Sequence, residues 1–164
     1  MIRMQSGDIT EVKRGLICQQ VNCRGTMAAG LAKQLREKYP YIYDEYKEFI
    51  YARKVHHIGG NQLLGAVNPV FINKDLLVIN IFGQEDFGTD GVYTDYEALE
   101  KALRYIEETV APSYNLPVYI PRGIGCGLGG GDWKKVSMII NDVFADSDVN
   151  CIVMEYKKWL VILN

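Results

Sequence analysis

Residues 76 to 82 read LLVINIF, an apolar run broken only by Asn80. A strand with one face in water alternates apolar and polar residues; a nearly continuous run belongs to a central strand covered on both faces. Such a strand needs a layer of helices above and another below, and the rest of the chain supplies the parts. Ile2 to Gln5, Leu16 to Val21, Ala66 to Asn73, Pro117 to Pro121 and Cys151 to Met154 are further strand-like runs. Between them lie helical patterns. One starts at Ala28 with Leu31, Leu35 and Tyr39 on one face and stops at Pro40, and another follows through Tyr43, Tyr46 and Ile50. Thr94-Asp95-Tyr96-Glu97 reads as a capping box opening a helix with Leu99, Leu103, Ile106 and Val110 on its apolar face, and Val136, Ile139, Ile140, Val143 and Phe144 line a last helix. Strands alternating with helices predict an α/β fold: a three-layer α/β/α sandwich around a mixed central sheet.

The 164 residues are expected to form a single domain spanning 1–164. Net charge is -2 with both signs interspersed, so no basic stripe marks a broad nucleic-acid surface. No run approaches the roughly 18 apolar residues of a membrane span, and MIRMQSGDIT has no leader pattern. A cytoplasmic protein with no membrane partner is expected, with a monomer favoured. The four cysteines form no C-x-x-C pair and stand far from His56 and His57. That predicts free thiols, no zinc and no cofactor.

The densest functional signal is PRGIGCGLGGGDW, residues 121 to 133, with six glycines between a strand and a helix. Backbone without Cβ allows close approach of a ligand, permits positive φ and leaves N–H groups to gather around an anion at the positive end of the next helix. Phosphate is the expected guest. The loop lacks the Lys-Ser/Thr ending of a P-loop, while Gly125, Gly127 and Gly130 satisfy G-x-G-x-x-G and Glu155 follows a later strand, a weak imitation of a dinucleotide-binding fingerprint.

Two other loops complete a pattern. Gly7-Asp8-Ile9-Thr10 follows the first strand, and in QQVNCRGTMAAGLAKQL a strand ends at Asn22 before small residues enter a basic helix. With these motifs in this order, and GCGL ahead of a tryptophan, nearly the whole chain resembles the macro domain family. The nearest likeness is to the branch of ADP-ribose-1''-phosphate phosphatases and ADP-ribosyl glycohydrolases. The resemblance implies an ADP-ribose site and, as partners, ADP-ribose derivatives or an ADP-ribosylated macromolecule. Asp8 would accept from the adenine amine with the Ile9 backbone beside the base, and Asn22 would meet the distal ribose. Main-chain amides of Ala28, Ala29 and Gly30 would reach ribose and phosphate, and the loop from Gly123 through Ile124, Gly125, Cys126 and Gly127 to Leu128 would wrap the diphosphate. Tyr156 would pack beside the adenine. Four or five amides on a diphosphate, at about 1.5 to 3 kcal/mol each, suffice for micromolar binding without a basic patch.

Catalytic residues are sparser. Some glycohydrolase relatives use a lysine after the central strand, where this chain reads Ile81-Phe82-Gly83-Gln84; some phosphatase relatives carry a histidine where it has Gln19, and one relative an aspartate where it has Gly129. The remaining candidate for a general base is Asp132, with Asn22 beside the distal ribose. Asp132 is equally suited to cap the following helix, and Glu85, Asp86 and Asp90 are acids of a neighbouring loop. Hydrolysis of an ADP-ribose derivative is the expected activity. A non-catalytic reader of ADP-ribose is the alternative, and a small Rossmann-type dinucleotide protein is a third. Trp159 to Leu163 is a candidate edge strand or partner contact.

Overall fold

The computed structural model describes residues 1–56 and 63–157; the Trp159 to Leu163 segment and His57 lie outside them. Among the described residues six strands form one sheet in the order β1-β6-β5-β2-β4-β3. They are β1 (Ile2–Ser6), β2 (Gly15–Asn22), β3 (Val67–Asn73), β4 (Leu76–Gln84), β5 (Val118–Pro121) and β6 (Cys151–Glu155). All neighbours are parallel except β3, which pairs antiparallel with β4 at the edge, so the sheet is mixed as expected. β2 and β4 pair in the middle, and every residue of β4 from Leu76 to Gly83 is buried.

On one face, α1 (Gly30–Lys38) and α2 (Tyr41–His56) press Leu35, Ile42, Tyr46 and Ile50 against Ile17, Val78 and Phe82. On the other, α3 (Tyr96–Tyr105) and α5 (Trp133–Phe144) bury Leu99, Leu103, Val136 and Ile140 against Leu16, Leu77 and Ile79. This is the three-layer sandwich. The strand order, with its antiparallel edge, departs from the doubly wound 3-2-1-4-5-6 arrangement, so the Rossmann alternative is set aside.

Helix boundaries correct the sequence reading in three places. Ala28 and Ala29 precede α1 instead of opening it, because Ala29 is extended (φ -147°, ψ 164°) and Gly30 takes a left-handed φ of 58°. α3 widens into a π turn over Ile106–Val110 before the short α4 (Ala111–Tyr114), which accommodates Pro112 and its missing N–H. The capping box is not made: Asp95, not Thr94, caps α3 by accepting from the Ala98 amide at 2.9 Å. Thr94 is drawn away by partners distant in sequence, described below.

Candidate functional site

The carboxyl ends of the parallel strands point to one rim of the sheet, where loops leave for helices, and a cleft of about 530 Å³ opens there. One wall comes from the end of β2 and the start of α1, and the other from the glycine loop after β5, with Phe87, Gly88 and Thr89 at its mouth. Asn22, Ala28, Ala29 and Gly30 lie on the first wall, and Gly123, Ile124, Gly125, Gly127 and Leu128 on the second. Segments a hundred residues apart in sequence therefore face each other.

On the first wall, Asn22 is 7% exposed and its carboxamide organises the turn that follows. Oδ1 accepts from the amides of Arg24 (3.0 Å) and Thr26 (3.3 Å), and Nδ2 donates to the Thr26 carbonyl (2.9 Å). Tyr46, fully buried on α2, bonds to the Asn22 main-chain oxygen and stands 2.9 Å from Oδ1. Burial pushes the Tyr46 phenol well above its ordinary range, so it stays a neutral donor. Sequence reasoning missed Tyr46 as a site residue; the available signal was a tyrosine on the apolar stripe of a helix, since a buried hydroxyl needs a partner. Beyond this turn, α1 starts without a side-chain cap, and the amides of Gly30, Leu31 and Ala32 have no acceptor among the described residues. α3 and α5, in contrast, carry aspartate caps. An uncapped helix N-terminus at a cleft wall favours an anion by about 0.3 to 1 kcal/mol or more.

The second wall divides its amides. Ile124 and Cys126 donate within the loop, to Pro121 O (3.0 Å) and Gly123 O (2.8 Å), while Gly130 and Gly131 reach back to Gly127 O (3.0 Å) and Gly125 O (2.8 Å). The amides of Gly123, Gly125, Gly127, Leu128 and Gly129 have no acceptor among the described residues. Of the loop expected to wrap a diphosphate, the Ile124 and Cys126 amides are thus engaged internally. The loop is held by Thr94, whose hydroxyl donates to Gly125 O at 2.6 Å and accepts from Gln20 Nε2 at 2.9 Å, and by the Tyr93 and Thr94 amides, which both bond Gly129 O.

Two glutamines of β2 underlie the cleft. Gln20 Nε2 also donates to Gln84 Oε1 (2.8 Å), and Gln19 Nε2 donates to Asn80 Oδ1 (2.8 Å). The Oε1 atom of each is buried without a partner, a condition that costs about 1 to 3 kcal/mol. Among the described lining residues Arg122 carries the only charged side chain; it lies over the Trp133 ring at 5.4 Å and is 3.9 Å from Glu155.

Several predicted residues stand outside this lining. Asp8 and Ile9 occupy a single 3-10 turn at the end of β1, on the same rim as the end of β2 with β6 and β5 between them. Asp8 Oδ1 accepts from the Thr10 amide (2.9 Å) and hydroxyl (2.7 Å), leaving Oδ2 without a partner among the described residues. The Gly7 amide ties this turn to Glu155 O at 3.0 Å, which brings it beside Tyr156, itself 68% exposed. Cys126 faces inward, its thiol donating to Ile124 O (3.3 Å) and raised above its ordinary range by burial and then by Asp132. Asp132 caps α5 by accepting from the Lys134 amide at 2.9 Å, and its own amide donates to the Tyr96 hydroxyl. The positive end of the helix after the glycine loop is therefore already filled by a carboxylate, and the helix end left open to an anion is that of α1. Asp86 pairs with Arg24 at 3.5 Å and Asp90 accepts from Tyr93.

All four cysteines are free. Burial raises Cys23 to about 11 and Cys151 to about 12, and lifts Cys18 further. Among the described residues no His, Cys, Asp or Glu cluster suits a metal, and no helix is long and apolar enough to cross a membrane.

No protein-family model matches the chain, and neither does any curated protein. Solved structures do. A macrodomain protein from Streptomyces coelicolor superposes with a TM-score of 0.76 at 25% identity, over 96% of this chain and 99% of that one. A Bacteroides thetaiotaomicron protein of unknown function gives 0.80 at 25% identity, over 94% and 98%. Thermosipho africanus DarTG, in complex with ADP-ribose, gives 0.72 at 17% identity, over 93% of this chain and 41% of that one. The six-stranded sandwich and its rim cleft are thus a macrodomain fold.

Proposed function

We propose that this protein binds ADP-ribose, free or as an ADP-ribosyl group on a macromolecule. The observation that carries the reading is the set of main-chain amides without internal acceptors on both walls of one cleft: five from Gly123 to Gly129, and the uncapped start of α1 opposite. Donors arranged in that way suit a diphosphate. Adenine would lie toward Asp8, whose free Oδ2 suits the exocyclic amine, with the Ile9 backbone and Tyr156 beside it. The distal ribose would lie over the end of β2 at Asn22. Strands packed about 4.8 Å apart put those two ends roughly 14 Å from each other, a separation suited to an extended dinucleotide-like ligand. That a similarly folded Thermosipho africanus protein is found in complex with ADP-ribose supports the choice of ligand.

Capture without turnover is the form favoured by the lining, which has no carboxylate, imidazole or amine among its described residues to move a proton. Hydrolysis of ADP-ribose-1''-phosphate or an ADP-ribosyl linkage is the second reading. It is favoured by one observation: Asp132 follows the lining residue Gly129 by three positions and caps α5, so its carboxylate would act by leaving that cap.

Calorimetry with ADP-ribose and NAD tests the first reading. Micromolar affinity for ADP-ribose with weaker NAD binding is expected, and the opposite preference overturns it. Product analysis at near-stoichiometric protein separates the two forms: consumption abolished in Asp132→Ala supports hydrolysis, and no consumption supports capture.

A further inference from the structure

Three carboxamides run in a row across the α1/α2 face of the sheet. Gln19, Asn80 and Asn68 stand opposite one another on β2, β4 and β3, at 1%, 0% and 7% exposure. Gln19 Nε2 donates to Asn80 Oδ1 at 2.8 Å, and Asn80 Nδ2 donates to Asn68 Oδ1 at 3.1 Å. Each amide passes its N–H to the next carbonyl, so the row has a direction. The carbonyl left at its head is Gln19 Oε1, which has no donor and belongs to a side chain lining the cleft. Turning the Gln19 amide over by itself would set its oxygen against Asn80 Oδ1, so with the row running in this direction an acceptor, not a donor, stands at this place. The neighbouring orphan, Gln20 Oε1, is differently placed, wedged against the backbone of Gly83 and Gly125.

We infer that Gln19 Oε1 accepts a hydrogen bond from a hydroxyl of the distal ribose of ADP-ribose, making Gln19 a specificity residue. The inference rests on the proposed ADP-ribose site. A fixed carbonyl oxygen repels phosphate oxygens and selects donors. On this ligand the donors are the adenine amine and the ribose hydroxyls. The adenosine end belongs at the far strands β1 and β6, whereas Gln19 points its amide toward β4, on the other side of β2. The distal hydroxyls remain.

The test is calorimetry of the wild type and Gln19→Met with ADP-ribose and with ADP, which lacks the distal ribose. The expected result is ADP-ribose bound about tenfold more weakly by the variant, with ADP unchanged. Equal loss of both ligands, or loss of neither, overturns the role of Gln19 while leaving the ADP-ribose site standing. A wild type that binds neither ligand overturns the site and this inference with it. Should Gln19→Met fail to fold by circular dichroism, the wild type is titrated with ADP-ribose analogues lacking one distal hydroxyl at a time. One analogue weakened about tenfold supports the assignment, and none weakened beyond about twofold overturns it.

Discussion

The six glycines between Gly123 and Gly131 fall into two groups that the sequence alone does not distinguish. A Cβ on Gly123 or Gly127 would meet nothing within 4 Å, whereas one on Gly129 or Gly131 would stand 2.7 Å from Gly125 O, and one on Gly130 would run into the backbone of Gly91. Gly125 is likewise hemmed in by Gln20 and Thr94, at 2.9 Å each. The open pair bare the main chain to the cleft. The close-packed four let the glycine loop, the 85–93 loop and β2 lie against one another, which holds the free amides in place. Part of the glycine content therefore serves a ligand and part serves packing, and a chain can lose one function without the other.

Four substitutions probe that division, from the largest expected effect to the smallest. Gly130→Ala combines a left-handed φ of 71° with a backbone clash. It should destabilise by roughly 3 kcal/mol, read as a lower urea midpoint; an unchanged midpoint would show that the loop relaxes freely. Gly127→Glu should fold with wild-type stability, because its Cβ meets open space, yet bind ADP-ribose about a hundredfold more weakly by placing a carboxylate against phosphate. Retained affinity in the folded variant would remove the glycine loop from the phosphate site. Thr94→Val deletes the bonds to Gly125 O and Gln20 and should cost about 1 to 2 kcal/mol of stability, with ligand binding weakened because the free amides lose their support. If thermal melting shifts but affinity does not, the loop's shape is set elsewhere. Asp132→Ala removes the α5 cap and should cost about 1 kcal/mol, with ADP-ribose affinity unchanged; a large drop in affinity would place its carboxylate at the ligand.

The central strand β4 was legible in the sequence because burial on both faces leaves a nearly unbroken apolar run, LLVINIF, and α3 was legible because its apolar positions recur at the helical period. The start of α3 was legible only to within a residue. Thr94 and Asp95 are both capable caps; the deciding fact is that the Thr94 hydroxyl meets Gly125 O, 31 residues away. Asn22 was marked from its place at a strand end, but its engagement with the 22–26 turn and with Tyr46 depends on how α2 docks. The sequence also singled out Asp132, and the structure places it on the α5 N-terminus, where its local pattern equally predicted it.

What the chain determined unaided was the alternation of strands and amphipathic helices, and the three short loop segments that stand out between them. Those are local properties of side-chain volume and polarity. What only the tertiary structure decided was which amides remain unbonded, which glycines touch backbone, and that Gln19, Asn80 and Asn68 line up across three strands with one carbonyl left over. Hydrogen bonds between groups about 60 residues apart are set by strand register and loop docking, and neither is written in any local stretch of sequence.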